Sequence, residues 1–286
     1  MAKNKRKRAS SRGAGFLPVG ILLLVILMLI ALDARLSVKK YVIDAEEIQE
    51  KVRIVFVSDL HSCRYGEGQK TLIDAVNDLN PDLVLLGGDI FDDVVPNDNT
   101  TLFLSAVSDL YPCYYVTGNH EYWGGDERFS EQMSILKSLD ITILSGEGRT
   151  VCVNGQYLNI TGIDDPDAFR TAERQENIAL QLENASAASK NNYYTVLLAH
   201  RPEYFDRYLE YDFDLILSGH AHGGQWRIPL LLNGLYAPDQ GLFPKYAGGK
   251  YTVSDTTMIV GRGLARESTR IPRIFNRPEL VLIELN

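Results

Sequence analysis

The chain has 286 residues but only three cysteines, two tryptophans and five histidines. Cys63, Cys113 and Cys152 show no Cys-x-x-Cys spacing, which excludes a disulfide framework and a cysteine-built metal site. A single disulfide remains open. Basic residues are scarce once the first twelve positions are set aside. Those twelve carry six positive charges and no acid, so the net −8 of the whole chain leaves −14 for the rest. Such a remainder lacks the cationic footprint of a nucleic-acid binder, and no nucleic-acid partner is expected. There is no internal repeat and no low-complexity tract beyond the basic start. Residues 51–286 suit one α/β domain.

Charge of either sign is missing from Phe16 to Leu32, and Ile21 to Leu32 is wholly apolar. This length lies near the lower limit of a membrane span. The following Ala31-Leu32-Asp33-Ala34 lacks the small residues of a cleavage site, no lipoprotein cysteine follows, and no twin-arginine motif precedes. The alternative, a buried core helix, fits poorly with the basic flank. The reading is therefore a basic cytoplasmic tail at 1–15 and an uncleaved transmembrane signal anchor at 16–32. A juxtamembrane linker with a first edge element occupies 33–50. Six preceding cations put the N-terminus in the cytoplasm and residues 51–286 outside it, as a single-pass protein of the cell membrane.

What the chain does have is histidine in unusual company. The five occur as Asp59-Leu60-His61, Asn119-His120-Glu121, His200-Arg201-Pro202 and His220-Ala221-His222. The segment Gly88-Asp89-Ile90-Phe91-Asp92 adds carboxylates. Grouped nitrogen and oxygen donors suggest a metal centre. Each group follows a short apolar run: 53–58, 82–86, 113–117, 195–199 and 214–218. Such runs read as strands buried on both faces, and ligands collect at the carboxyl ends of strands in α/β sheets. One sheet could bring all five to one rim. Between the runs, Gln69–Leu79, Thr101–Leu110 and Phe129–Leu139 carry the i, i+3, i+4, i+7 stripe of half-buried helices. Strand and helix alternate, as in a layered α/β domain. Met258–Val260 and Leu280–Ile283 read as strands closing a second sheet.

Taken in order, Asp59-x-His61, Gly88-Asp89-x-x-Asp92, Gly118-Asn119-His120-Glu121, His200 and Gly219-His220-x-His222 resemble the calcineurin-like metallophosphoesterases over roughly residues 51–286. Gly223-Gly224-Gln225 and Gly261-Arg262-Gly263-Leu264 are similar to the bacterial membrane-associated, YkuE/YaeI-like branch. The resemblance implies a four-layer α/β/β/α sandwich of two mixed sheets. It also implies two divalent metal ions (Mn, Fe, Zn, Co or Ni) between the strand ends.

Asp89 is the natural bridge between ions about 3.5–4 Å apart. The resemblance adds Asp59, His61 and His222 on one side, and Asn119, His200 and His220 on the other. His120 is left as a catalytic proton donor, with a metal-activated hydroxide as nucleophile. Asp92 supports the chemistry by orienting His120 or a ligand. The role of Glu121 is open.

Each motif alone has a plainer reading as a turn or helix cap. Five such readings in the right order are much harder to sustain, and two alternating histidines rarely serve packing. The expected activity is hydrolysis of a phosphate ester or pyrophosphate, with lipid substrates such as a phospholipid or a UDP-diacylglucosamine-like molecule among the candidates. An outward-facing domain counts against a cytosolic nucleotide sugar. The alternative is an inactive, membrane-anchored metal-binding or interaction protein. Two further segments are open. Arg201 either meets phosphate or is a solvated loop residue. The apolar stretch Ile228–Tyr236 is either a buried loop of the second sheet, or a pocket wall or bilayer-facing patch. Ala168–Lys190 reads as a surface helix.

Overall fold

A computed structural model of the protein describes residues 16–169, 172–266 and 271–286. The basic tail expected at 1–15 lies outside the described residues. The chain opens with helix α1 (Phe16–Ala31) and strands β1 (Ser37–Ile43) and β2 (Val52–Val57). Helix α2 (Lys70–Leu79), β3 (Leu83–Gly87), α3 (Asp98–Ser108) and β4 (Cys113–Val116) follow. Then come the short α4 (Asn119–Trp123), α5 (Asp126–Ser138), β5 (Thr142–Ile143), β6 (Glu147–Val153) and β7 (Gln156–Gly162). Helix α6 (Arg174–Ser186), β8 (Thr195–Leu198), α7 (Phe205–Tyr208) and β9 (Leu215–Ser218) lead to a small hairpin of β10 (Tyr236–Ala237) and β11 (Gly241–Leu242). Strands β12 (Gly249–Val253), β13 (Thr256–Val260) and β14 (Glu279–Leu285) complete the chain.

Two six-stranded mixed sheets result, in the orders β1-β14-β2-β3-β4-β5 and β12-β13-β9-β8-β7-β6. The period-2 rule explains how they stack. In β2 and β3, Ile54, Phe56, Leu83 and Leu85 point to a core shared with Leu158, Val196, Leu217 and Ile259 of the other sheet. Their neighbours Val55, Val57, Val84 and Leu86 point away, onto Leu72 and Val76 of α2, Phe103 and Val107 of α3 and Leu136 of α5. On the far side, Leu197, Ile216 and Met258 pack with Ile178 and Leu182 of α6 and Phe205 of α7. A strand covered on both faces must be apolar throughout, hence the continuous runs. Each large side chain so buried contributes about 1.5–3 kcal/mol.

The helices lie close to where the stripes place them. Helix α2 stops as expected, with Asn80 in the left-handed conformation (φ 45°) just before Pro81.

Two expectations are corrected. The five ligand-bearing runs do not share one sheet: β2, β3 and β4 belong to the first, and β8 and β9 to the second. Strand β14 does not join the second sheet. It sits between β1 and β2, antiparallel to β2. The edge element expected within 33–50 is Ser37–Ile43, which pairs in parallel with β14 over its whole length at the border of the first sheet.

Helix α1 is 16 residues long. Among the described residues, no helix is long and apolar enough to cross a membrane. The large apolar side chains from Val19 to Ile30 are nonetheless 44–70% exposed. The last helical carbonyl, that of Ala31, accepts a 2.7 Å bond from the Phe275 amide. Among the described residues there is no disulfide: Cys63 and Cys113 are buried thiols and Cys152 is exposed.

Candidate metal centre

Parallel strands present their C-terminal ends along one edge, and the two stacked sheets turn those edges together. Asp59 and His61 follow β2, Asp89 and Asp92 follow β3, and Asn119 and His120 open α4 directly after β4. His200 follows β8, and His220 and His222 follow β9. Hydrogen bonds join the two sheets here. The His220 amide donates to Asp59 Oδ1 at 2.8 Å. His200 Nδ1 lies 2.8 Å from the Gly87 carbonyl.

The donor atoms form two groups that share a rim. Asp59, His61 and His222 place one donor atom each within 4.8 Å of one another, and so do Asp89, His200 and His220. Asp89 also groups with His61 and His120, which makes it the carboxylate common to both sides. Its Oδ2 is 3.2 Å from His200 Nε2 and 3.6 Å from His61 Nε2.

The observation that decides the character of the site is the state of these atoms. Asp59 Oδ2, His61 Nε2, Asp89 Oδ2, Asn119 Oδ1, His200 Nε2 and His222 Nδ1 are all buried with no hydrogen-bond partner. An orphaned buried polar atom costs about 1–3 kcal/mol. Six of them on residues gathered at this rim fit cations as the missing partners.

The pattern of the calcineurin-like phosphoesterase family matches residues 52–224, more than half of the chain and all five segments. The protein belongs to this family. An uncharacterised metallophosphoesterase of Helicobacter pylori is 30% identical over 231 residues, covering 79% of this chain and 57% of the relative. The phosphodiesterase YaeI of Escherichia coli is 28% identical over 238 residues, 82% of each chain. A bovine transmembrane protein with a metallophosphoesterase domain is 30% identical over 224 residues, 73% of this chain and 47% of that one. The chain thus spans little more than half of the Helicobacter relative and less than half of the bovine one. The family is built on a binuclear divalent metal centre, and the donor set here has its composition.

The backbone carries strain at this metallophosphoesterase rim. Asp59, His61, Asp89, His220 and His222 all have positive φ, between 44° and 63°. Left-handed residues outside glycine cluster where function over-determines the conformation. Gly88 also has positive φ, and a Cβ there would lie 2.7 Å from His200 Nδ1. Only glycine lets the β3 turn approach that ring so closely.

Electrostatics follow from the crowding. Burial pushes Asp89 up, but His200, His61 and His120 outweigh it and hold the carboxyl well below its usual range. Asp59 is lowered in the same way, against burial, chiefly by His222 and His200. Burial pulls His200 down, yet Asp89 carries it up to about 10, so a cation binding there would displace a proton. Burial takes His222 down to about 3, leaving the neutral imidazole that a metal needs.

The orienting contacts separate roles that sequence alone leaves merged. His61 Nδ1 faces Asp92 Oδ2 at 3.3 Å, while its Nε2 faces Asp89. Asp92 therefore orients the candidate ligand His61. His120 Nδ1 lies 4.0 Å from Asp92 but 2.7 Å from Asp93 Oδ1. Sequence reasoning misses Asp93, whose only signal is the Asp92-Asp93 doublet. Glu121 is fully buried and ties the β3 and β4 turns together. Its carboxylate accepts the amides of Asp89, Ile90, Phe91 and Gly118 at 2.7–3.1 Å. Burial and the neighbouring Asp89 push it up to about 7.

Arg201 is neither a solvated loop residue nor open to a phosphate. Its Nε and Nη2 fork onto Asp165 at 2.6 and 3.0 Å, and Nη1 meets Asp239. Asp239 Oδ2 in turn lies 2.9 Å from His220 Nε2. Asp239 thus contacts the ring of His220 directly and Asp165 holds Arg201 beside it at 3.2 Å, and sequence reasoning misses both acids.

Proposed function

We propose that the protein is a metal-dependent phosphoesterase holding two divalent ions. Asp89 would be shared between them, Asp59, His61 and His222 would hold one ion, and Asn119, His200 and His220 would hold the other. The convergence of orphaned buried donors on both sides of Asp89 carries this reading. When bound, the ions supply Lewis acidity, lowering the pKa of a water and neutralising phosphoryl charge. The protein's own groups do the rest. His120 lies beside His61, ring centroids 4.3 Å apart, and keeps some exposure to solvent. With Nδ1 tied to Asp93, its Nε2 can hold a proton for the leaving oxygen. Keeping both His120 and its acid partner favours an enzyme over an inactive metal-binding protein.

Asp92→Asn should weaken metal binding about 10–100-fold, as is usual for a residue that orients a ligating histidine. Competition with a chelator would measure it, and saturating metal should restore turnover. A loss of turnover that saturating metal leaves unchanged would place Asp92 with His120 instead.

The substrate reading is a phosphoester presented at a membrane, with phospholipid-type esters first. It is supported by the uncovered apolar surface of α1, by the six cations before it, and by the membrane setting of the bovine relative. Helix α1 then lies in lipid with the domain outside the cytoplasm. The test is a panel of monoesters, diesters, pyrophosphates and phospholipids, assayed with each candidate metal. Hydrolysis of none of them would sink the enzymatic reading. Protease added to intact spheroplasts should digest the domain. A protected domain would reverse the topology and restore cytosolic nucleotide sugars as candidates.

A further inference from the structure

The stretch Ile228–Tyr236 is not a buried loop. Leu230 and Leu231 are 106% and 85% exposed, Ile228 is half-exposed, and Leu242 at the end of β11 and Phe243 just after it are about two-thirds exposed. Consecutive leucines in open water are costly, and patches of this kind mark interaction surfaces. The turn is also held in shape. The amides of Leu231 and Leu232 both donate to the Ile228 carbonyl, at 3.0 and 2.8 Å. Leu230 has φ 68°, an unfavourable conformation for leucine. The base is fixed to the body by Arg227 N–H to the Ile274 carbonyl (2.9 Å) and by Asn233 Nδ2 to the Gly248 carbonyl (3.1 Å). A rigid turn thus presents apolar side chains outward.

Its neighbours say what it faces. A cavity of about 520 Å³ lies under the turn, with Arg227, Arg262 and Phe275 in its lining. Phe275 is also the residue whose amide holds the end of α1. Arg277 Nε bonds the Arg35 carbonyl at 2.9 Å and lies 3.5 Å from Asp33, anchoring the exit of the helix on the same side. The apolar turn, two guanidinium groups and the end of an uncovered apolar helix therefore share one face. An apolar tip with a cationic base suits an interface of acyl chains below anionic headgroups. The turn begins six residues after His222, and the backbone between them is tied down through Asn276 Nδ2 to the His222 carbonyl at 2.7 Å.

We propose that the turn Ile228–Leu232, flanked by Leu242 and Phe243, is a second membrane contact that docks the metal-bearing rim on an anionic lipid surface. The proposal rests on the lipid placement of α1 given above. Arg262, whose Nε pairs with Glu279 at 3.2 Å, and Arg227, which also donates to the Gly223 carbonyl and to Asn233, turn their remaining N–H groups to the lipid phosphates, and the leucines enter the acyl boundary. The mouth of the site is thereby kept at headgroup depth, where a membrane phosphoester would be reached without leaving the bilayer.

The test uses the full chain in vesicles of phosphatidylcholine and phosphatidylglycerol. In a Cys152→Ser background, an environment-sensitive fluorophore is attached at Leu231→Cys, at Leu24→Cys or at Tyr157→Cys. Tyr157 is exposed near the opposite end of the second sheet. The Leu231 probe is expected to shift to the blue and lose at least about half its emission to doxyl-labelled lipid, as a boundary-inserted residue should. The Tyr157 probe should stay in water. A Leu231 probe in water beside a Leu24 probe in lipid would overturn the docking surface and leave the α1 reading intact. Both probes in water would overturn both. Energy transfer between Leu231 probes of different chains, without lipid quenching, would show that a second copy covers the turn and would equally refute the proposal.

Discussion

Replacing Asp89 by alanine is expected to abolish both metal sites at once. Asp89 faces histidines of both groups: Oδ2 lies 3.2 Å from His200 Nε2 and 3.6 Å from His61 Nε2. Oδ1 meanwhile accepts the His120 amide at 2.9 Å. Loss of a bridging carboxylate should remove several kcal/mol of charge stabilisation, so turnover should fall by more than about 10³-fold. Metal analysis should find neither ion retained. The fold should survive, because Glu121 still gathers the amides of Ile90, Phe91 and Gly118. Circular dichroism would check that. A variant keeping one tightly held ion would show that Asp89 serves a single site.

His120→Ala should behave in the opposite way. His120 reaches the rim from α4 with its Nδ1 on Asp93, and the orphaned donors belong to other residues. Metal content should stay at two ions. Turnover should drop about 10²–10⁴-fold, the usual contribution of a positioned acid or base. The loss should be greatest for esters with poor leaving groups, since only those need a proton at the departing oxygen. Asp93→Asn should give a weaker version of the same pattern. An equal loss for good and poor leaving groups would remove His120 from proton transfer.

The candidate donor set is legible in the sequence because chemistry constrains it twice. Donor residues must be present, and they must follow strands that a two-faced core makes continuously apolar. Both marks are local in sequence, as Val55-Phe56-Val57 before Asp59 and Val84-Leu85-Leu86 before Asp89 illustrate. The valines in these runs make them β-prone as well as apolar.

Sheet membership is not legible, because a run buried on both faces looks alike in either sheet. Strand β14 can be read as a strand but not placed, since its partners Ser37–Ile43 and Val52–Val57 lie more than two hundred residues away. The left-handed backbone at five donor residues leaves no mark in composition. Asp92 and Asp93 are adjacent and alike, and only three dimensions show that one turns to His61 and the other to His120. Arg201 looks like a loop residue in sequence because its counter-charges, Asp165 and Asp239, are distant along the chain. The exposed leucines at 230 and 231 break the rule that apolar runs are buried, and such a break is expected where function asks for it.

The central claim is that two ions at one shared carboxylate support turnover. Its most direct test is titration of the metal-stripped full chain, following activity and bound metal together. Activity should rise only as the second equivalent binds and should level off at two ions per chain, with Asp89→Ala showing neither uptake nor activity. Full turnover in the presence of excess chelator, or a plateau at one ion, would contradict the account.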